Sequence, residues 1–150
     1  MKNLYLIFLF LILVSCSTTN KKVETKIKEE IKTTTATRIL PEKYIPGKTI
    51  NVEISVNPSE KTTGVIVEEK IPEKWEIINS EPNWIKKEGN TYKYLFYGER
   101  IEPFKIKYQV KIPEEDKGEK NFEGCIKTFK EGTIIIGGNS ITVSVKWILK

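Results

Sequence analysis

Carboxylates and two thiols are the main reactive side chains of this 150-residue chain, because it contains no histidine. The absence of imidazole excludes Ser-His-Asp triads, Cys-His dyads and histidine-ligated zinc sites. The adjacent Glu68 and Glu69 suggest a carboxylate-based hydrolase, but neighbours on a strand point to opposite faces and would not converge. Cys125 lies in a predicted strand, and the chain has no histidine to favour its thiolate, so we expect Cys125 to be a small buried residue that packs like an apolar side chain. We therefore predict a non-enzymatic protein with no catalytic residue and no cofactor.

The acidic segment 113–119 is the candidate for a metal site, since calcium sites of surface domains use such loops. Calcium loops favour Asp and Asn at fixed spacing, whereas this segment is rich in Glu and includes Lys117. We expect a solvated turn and no metal site.

Aromatic side chains are dense between residues 75 and 108 and suggest a second kind of site, a platform for carbohydrate. Residues 92, 94 and 96 share one face of a predicted strand and residues 93, 95 and 97 share the other, so only one set can be core. Trp84, in a loop-like segment, is the best candidate for exposure. Carbohydrate binding through Trp84 and Tyr97 is therefore the alternative hypothesis.

Residues 1–15 have the features of an N-terminal export signal. Lys2 precedes an 11-residue apolar run, which is shorter than the roughly 20 residues of a membrane-spanning helix and typical of an export signal. The run ends in Leu13-Val14-Ser15-Cys16, which resembles the lipobox of bacterial lipoproteins. The resemblance implies cleavage before Cys16 and diacylation of its thiol, and two acyl chains suffice for stable anchoring. It places the protein at the outer membrane of a diderm host or the outer face of a monoderm cytoplasmic membrane.

Residues 16–35 are predicted to be the lipidated cysteine and a flexible tether. From residue 17 onward they include no aromatic and three apolar side chains, too few to offset the entropy of ordering. Five Lys and three Glu give the tether a charge of +2, and the rest of the net +5 is spread thinly. This diffuse charge argues against a nucleic-acid partner.

Residues 36–150 are predicted to form one all-β domain. Apolar and polar residues alternate at 50–56 and 104–112, a period typical of half-buried strands. Further strands are expected at 65–69, 75–79, 92–97, 122–129, 134–136 and 141–149, with turn residues between them. About seven to nine antiparallel strands indicate an immunoglobulin-like β-sandwich.

Five motifs follow one another along the predicted domain. They are Arg38 to Gly47 (including Pro41, Tyr44 and Pro46), Val67 to Trp75 (including Pro72), Ile106 to Pro113 (including Tyr108), Phe122-Glu123-Gly124 and Ile136-Gly137. Their order resembles the Ig-like repeat domains of bacterial and archaeal secreted and surface proteins. The resemblance spans 37–145 and departs at Lys74, where those repeats usually carry glycine. It implies a sandwich fold and a surface setting, with no shared catalytic residues.

The motif residues also have roles that follow from their chemistry. Pro46-Gly47 suits a type II turn, and Trp75 is large enough to anchor the core if its indole N–H finds a partner. Arg38 is expected to pair with Glu68 or Glu69. Together these features predict a lipid-anchored envelope protein with a structural or protein-interaction role, whose partner is another envelope protein or, in the alternative, a glycan.

Overall fold

The computed structural model describes residues 33–145. The predicted signal peptide, Cys16, the predicted tether up to residue 32 and residues 146–150 lie outside this range. No helix in the described range is long and apolar enough to cross a membrane. The range contains the strands β1 (Thr35–Ile39), β2 (Lys43–Tyr44), β3 (Thr49–Asn57), β4 (Gly64–Lys70), β5 (Glu76–Glu81), β6 (Lys86–Glu88), β7 (Thr91–Tyr97), β8 (Phe104–Lys111), β9 (Glu119–Asn121), β10 (Glu123–Thr128), β11 (Gly132–Ile135), β12 (Gly137–Gly138) and β13 (Ile141–Ser144).

The strands form an immunoglobulin-like β-sandwich, which confirms the predicted fold class. Sheet 1 has the order β12-β1-β3-β8-β5 and sheet 2 the order β11-β10-β4-β7-β6. A third, small sheet has the order β2-β13-β9. All pairs are antiparallel except β1 with β12 and β2 with β13.

The strand count exceeds the predicted seven to nine because four additional elements, β2, β6, β9 and β12, have only two or three residues each. Strands this short carry too few alternating positions to be recognised from periodicity. Within the described range, the predicted last strand, 141–149, is a strand only as far as Ser144, and Val145 is helical. Residues 146–149 of that prediction lie outside the described residues.

Alternation along the long strands builds the core. In β3 and β8, eight residues pair in continuous register, and every second side chain points inward. In β4 and β7 the inward positions include Val65, Val67, Tyr92 and Tyr94, all essentially inaccessible to solvent. Each fully buried side chain of this size contributes about 1.5–3 kcal/mol relative to exposure.

Residues 132–138 close one side of the sandwich by crossing from one sheet to the other. β11 pairs with β10 in sheet 2, and after the buried Ile136 the chain pairs as β12 with β1 in sheet 1. Gly138 has φ +84°, and a Cβ there would overlap the carbonyl oxygen of Arg38. Glycine at this position therefore allows the close approach of the two backbones.

Lys74 adopts a left-handed backbone conformation, with φ +66°. It lies in the turn closed by the Trp75 N–H, which donates to the Pro72 carbonyl oxygen at 3.2 Å. Since glycine takes this conformation without the steric cost of a Cβ, the glycine usual in Ig-like repeats at this position has a direct physical explanation.

We expect Lys74→Gly to raise the free energy of unfolding by about 1 kcal/mol, because the left-handed conformation costs a non-glycine residue about that much. Urea denaturation of the full chain measures the change, with Glu73→Gly in the same turn as the matched control. A Lys74→Gly variant no more stable than the parent, or a gain of equal size from Glu73→Gly, would contradict this explanation.

Candidate functional site

A buried ion pair joins the two sheets in the interior of the sandwich. Arg38 on β1 faces Glu69 on β4, and both side chains are at most 1% exposed. The guanidinium donates from Nε to Oε1 at 2.8 Å and from Nη2 to Oε2 at 2.7 Å. The Tyr108 hydroxyl on β8 donates to Oε1 at 2.6 Å. Of the two partners that the sequence left open for Arg38, the inward-facing Glu69 is the one in contact.

The surroundings of the pair leave no room for a ligand. Arg38 Nη1 also reaches the carbonyl oxygens of Phe122 and Asn139, each at 3.4 Å. A Cβ on Gly124 would overlap the Glu69 carboxylate and lie 2.6 Å from Arg38 Nη2. Burial raises the pKa of Glu69, and the Arg38 hydrogen bonds oppose that rise. The cluster is sealed from solvent, so its role is to hold the sheets together.

A second, partly buried cluster anchors the small sheet to the core. Asp116 Oδ2 accepts hydrogen bonds from Trp75 Nε1 at 2.7 Å and from the Tyr44 hydroxyl at 3.1 Å. Its Oδ1 lies 2.7 Å from Lys120 Nζ. The Trp75 ring packs edge-on against Tyr44 and Phe122, with centroids 4.9 and 5.8 Å apart. The indole N–H thus has the partner it needs.

The acidic segment 113–119 is therefore more than the solvated turn we predicted, because Asp116 holds Trp75 and Tyr44 in place. Both Asp116 oxygens are engaged by donors of the protein itself. Within residues 33–145, no group of three or more acidic or thiol side chains is arranged to hold a metal ion.

The remaining motif residues shape turns. The Lys48 N–H donates to the Ile45 carbonyl oxygen at 3.1 Å across Pro46-Gly47, and Gly47 has φ +76°, the geometry of a type II turn. Pro72 is buried where β4 has ended, whereas Pro41 is exposed.

Glu68 and Glu69 point to opposite faces of β4, as alternation predicted, and so cannot act together on one substrate. Glu68 lies on the outer face, where Lys127 and Lys93 approach it at 2.7 and 3.4 Å. Cys125 is half-buried rather than buried as expected, with its Sγ 3.8 Å from Glu68 Oε2. Burial, reinforced by the Glu68 charge, raises the pKa of the Cys125 thiol, which disfavours the reactive thiolate.

The two candidate carbohydrate-binding aromatics lie apart. Trp84 is half-buried and packs edge-on against the inward-facing Tyr92, with centroids 5.2 Å apart. Tyr97 is 83% exposed on the outer face, at the opposite end of β7. Trp84 is thus less exposed than we predicted, and the two rings do not share a platform.

The outer faces of the two sheets differ in character. On β3 and β8 the outward positions of sheet 1 carry only polar or charged side chains, such as Asn51, Glu53 and Gln109. On sheet 2, Ile66 and Leu95 are direct cross-strand partners, 38% and 42% exposed, and Tyr97 follows on the same face opposite Gly64. We name Ile66, Leu95 and Tyr97 the outer apolar patch.

A row of alternating charges borders the outer apolar patch. Lys93 bridges Glu68 at 3.4 Å and Glu88 at 2.8 Å, and Lys127 and Lys86 extend the row at its two ends. Lys127 lowers the pKa of Glu68, and Lys86, with Lys93, lowers that of Glu88 to about 2. Glu68 and Glu88 therefore stay ionised at neutral pH.

The outer face of sheet 1 carries a surface depression. It has a volume of about 440 Å³ and is lined by Glu53 and Glu81 among others. Glu53 is paired with Lys105 at 2.6 Å, which lowers its pKa, the opposite of what a catalytic acid requires.

The fold and these sites define an immunoglobulin-like β-sandwich built around a buried ion pair. The chain is 36% identical over 113 residues to an uncharacterized protein of Archaeoglobus fulgidus, covering 75% of this chain and 67% of that protein. It therefore belongs to the same family as this archaeal protein. No family model matches the sequence.

Two solved structures are similar in fold. One is a non-cellulosomal cohesin from A. fulgidus, with 13% identity, a TM-score of 0.49, and coverage of 74% of this chain and 91% of the cohesin. The other is a type II cohesin domain from the cellulosome of Acetivibrio cellulolyticus, with 10% identity, a TM-score of 0.42, and coverage of 75% and 95%. Neither similarity carries a partner or an activity over to this chain.

We expect the free energy of unfolding to fall as the pH rises above about 10. Burial raises the pKa of Tyr94 to about 12 and raises those of Tyr44 and Tyr108 further. In the unfolded chain these hydroxyls ionise near pH 10, so stability is complete below that pH and is lost above it, by up to about 1.4 kcal/mol per pH unit for each group.

Urea unfolding between pH 8 and 11.5 tests this dependence, and Tyr94→Phe should reduce its slope by about a third. A stability that stays flat to pH 11, or an unchanged slope in Tyr94→Phe, would show that the buried hydroxyls do not behave as described.

Proposed function

We propose that this protein is an exported, lipid-anchored component of the cell envelope that binds another protein through the outer apolar patch. The observation that carries the proposal is the contrast between its two outer faces. Ile66, Leu95 and Tyr97 are exposed together on the paired strands β4 and β7, whereas the paired strands β3 and β8 of the other sheet carry only polar side chains outward. The exposed Ile39 and Ile78 of that other sheet lie singly on β1 and β5, separated by β3 and β8. Clustered rather than scattered exposed apolar side chains are typical of an interaction surface.

The arrangement of the patch suits a protein partner. Protein interfaces have an apolar centre with aromatic side chains and a polar rim, and truncating central residues costs the most binding energy. Here Tyr97 stands opposite Gly64, whose missing side chain leaves open space beside the ring. The charge row from Lys127 to Lys86 supplies a rim with both signs of charge.

Anchoring is supported by the signal-like segment and the lipobox-like residues 13–16 of the sequence. In the domain, Thr34 is held by Glu131, whose carboxylate accepts the Thr34 N–H at 2.8 Å. The chain therefore enters the sandwich at the turn between β10 and β11. About 17 residues separate that point from Cys16, a coil span of roughly 25 Å that holds the domain close to the membrane.

A binding role without catalysis agrees with the chemistry of the described residues. The buried carboxylate Glu69 is sealed, and the outward Glu68 is held ionised between two lysines. Carbohydrate binding is the weaker alternative, because Tyr97 and Trp84 do not form a common surface.

One experiment in intact cells tests anchoring and binding together. The full chain, Cys16→Ala, Leu95→Lys and the matched control Gln109→Lys on the opposite outer face are labelled with a fatty-acid analogue, fractionated and chemically cross-linked. Cys16→Ala should lose the label and the membrane association. Leu95→Lys should keep both but lose about tenfold or more of its cross-linked protein partner, and Gln109→Lys should match the parent.

Lipid label on Cys16→Ala would refute the anchoring. Equal cross-linking of Leu95→Lys and the parent, or loss of the adduct upon addition of soluble envelope polysaccharide alone, would refute protein binding by the patch.

A further inference from the structure

The edges of the two sheets are protected to very different degrees. The edge strand β6 consists of three charged residues, and β5 has a bulge at Ile78 between Glu76 and Glu81. Charges and bulges of this kind prevent unwanted strand pairing. β11, the other edge of sheet 2, has neither, and its register with β10 is continuous.

The backbone of β11 presents hydrogen-bonding groups to the outside. The Ile136 N–H donates to the Gly124 carbonyl oxygen at 3.0 Å, which makes these two residues a hydrogen-bonded pair. Because such pairs alternate along antiparallel strands, Ile134 points its backbone groups toward β10, and Thr133 and Ile135 point theirs away. Within residues 33–145, β10 is the only strand that pairs with β11.

The side chains along this edge are also open. Ile135 is 74% exposed, and Phe129, in the turn that leads into β11, is fully exposed. An unpaired backbone flanked by uncovered apolar side chains is a template for adding another strand.

We infer that β11 pairs antiparallel with β11 of a second copy of this chain, which joins two copies of sheet 2 into one ten-stranded sheet. Residues 132–139 contain no charge in a chain with a net charge of +5. Two copies therefore meet at this strip without like-charge repulsion, and the strip offers no charge that would select a partner of opposite sign.

The register follows from which backbone groups are uncommitted. The Glu131 N–H already donates to Thr128 Oγ1 at 3.0 Å, and Gly137 pairs with β1. Thr133 and Ile135 are therefore the two residues of this edge whose outward backbone groups are free to pair. Thr133 lies opposite Ile135 of the second copy, and Ile134 faces Ile134 of the second copy across the two-fold axis. This pairing forms four backbone hydrogen bonds.

The pairing is carried by backbone atoms of the edge and is independent of the outer apolar patch. Four residues on each side make a small contact by the standard of stable dimers, so the free chains associate weakly. Confinement of both copies to one membrane would raise their effective concentration and strengthen the pair.

Disulfide trapping of the full chain in detergent micelles tests the register. In a Cys16→Ser, Cys125→Ser background, a cysteine replaces Thr133, Ile134, Ile135 or, as a control exposed elsewhere, Ile141. The Ile134→Cys variant should form a covalent dimer at least about tenfold faster than the other three, because non-hydrogen-bonded antiparallel neighbours are close enough for a disulfide. Since this background lacks Cys16, the outcome does not depend on lipidation.

Equal rates at all four positions, or faster trapping at 133 or 135, would overturn the proposed pairing. Thr133→Pro, which removes an outward N–H that β10 does not use, and Ile135→Lys should each reduce the trapping of Ile134→Cys about tenfold while the urea midpoint stays near that of the parent. A folded Thr133→Pro or Ile135→Lys variant that dimerises like the parent would equally overturn it.

Discussion

The structure depends on the buried ion pair between Arg38 and Glu69. Taking both charges out of water carries a large desolvation penalty, which only close and complete hydrogen bonding offsets. Here the carboxylate receives two bonds from the guanidinium and one from Tyr108, so donors from sheet 1 satisfy an acceptor from sheet 2. A slip of β4 by one residue would place Glu68 inside and Glu69 in solvent, and would also turn Val65 and Val67 outward. The pair therefore fixes the register as well as the separation of the sheets.

The same register of β4 determines which side chains are exposed on the outer face of sheet 2. With Glu69 inside, Glu68 stands outside between Lys93 and Lys127, and Ile66 lies beside Leu95 on the same face. The charge row and the outer apolar patch are thus consequences of the same alternation that builds the core. Glu69 of the buried ion pair and the outer apolar patch thus lie on opposite faces of sheet 2.

The sequence predicted the parts of the fold that follow from local periodicity, and its limits are physical. The alternation of apolar and polar residues was sufficient to predict β3 and β8. The Pro46-Gly47 turn was predicted from the ability of glycine to adopt a positive φ. The sequence could not show whether Glu68 or Glu69 pairs with Arg38, because the answer depends on which face of β4 points toward the core. The role of Asp116 was missed because its donors, Trp75 and Tyr44, are distant in sequence. Trp84 was expected to be exposed because it lies in a loop, yet the ring packs back onto Tyr92.

A double-mutant cycle on Arg38 and Glu69 tests the central claim most directly. The free energy of unfolding of the full chain is measured in urea for Arg38→Met, Glu69→Leu and the double variant, with the exposed pair of Lys70 and Glu123, 2.9 Å apart, as the matched cycle. Each single change should cost about 3–5 kcal/mol because it leaves a buried charge unpaired, and the double variant should cost far less than the sum. The exposed cycle should show a coupling below about 1 kcal/mol. Additive losses at Arg38 and Glu69, or a coupling no larger than that of the exposed pair, would contradict the claim that this interaction holds the sandwich together.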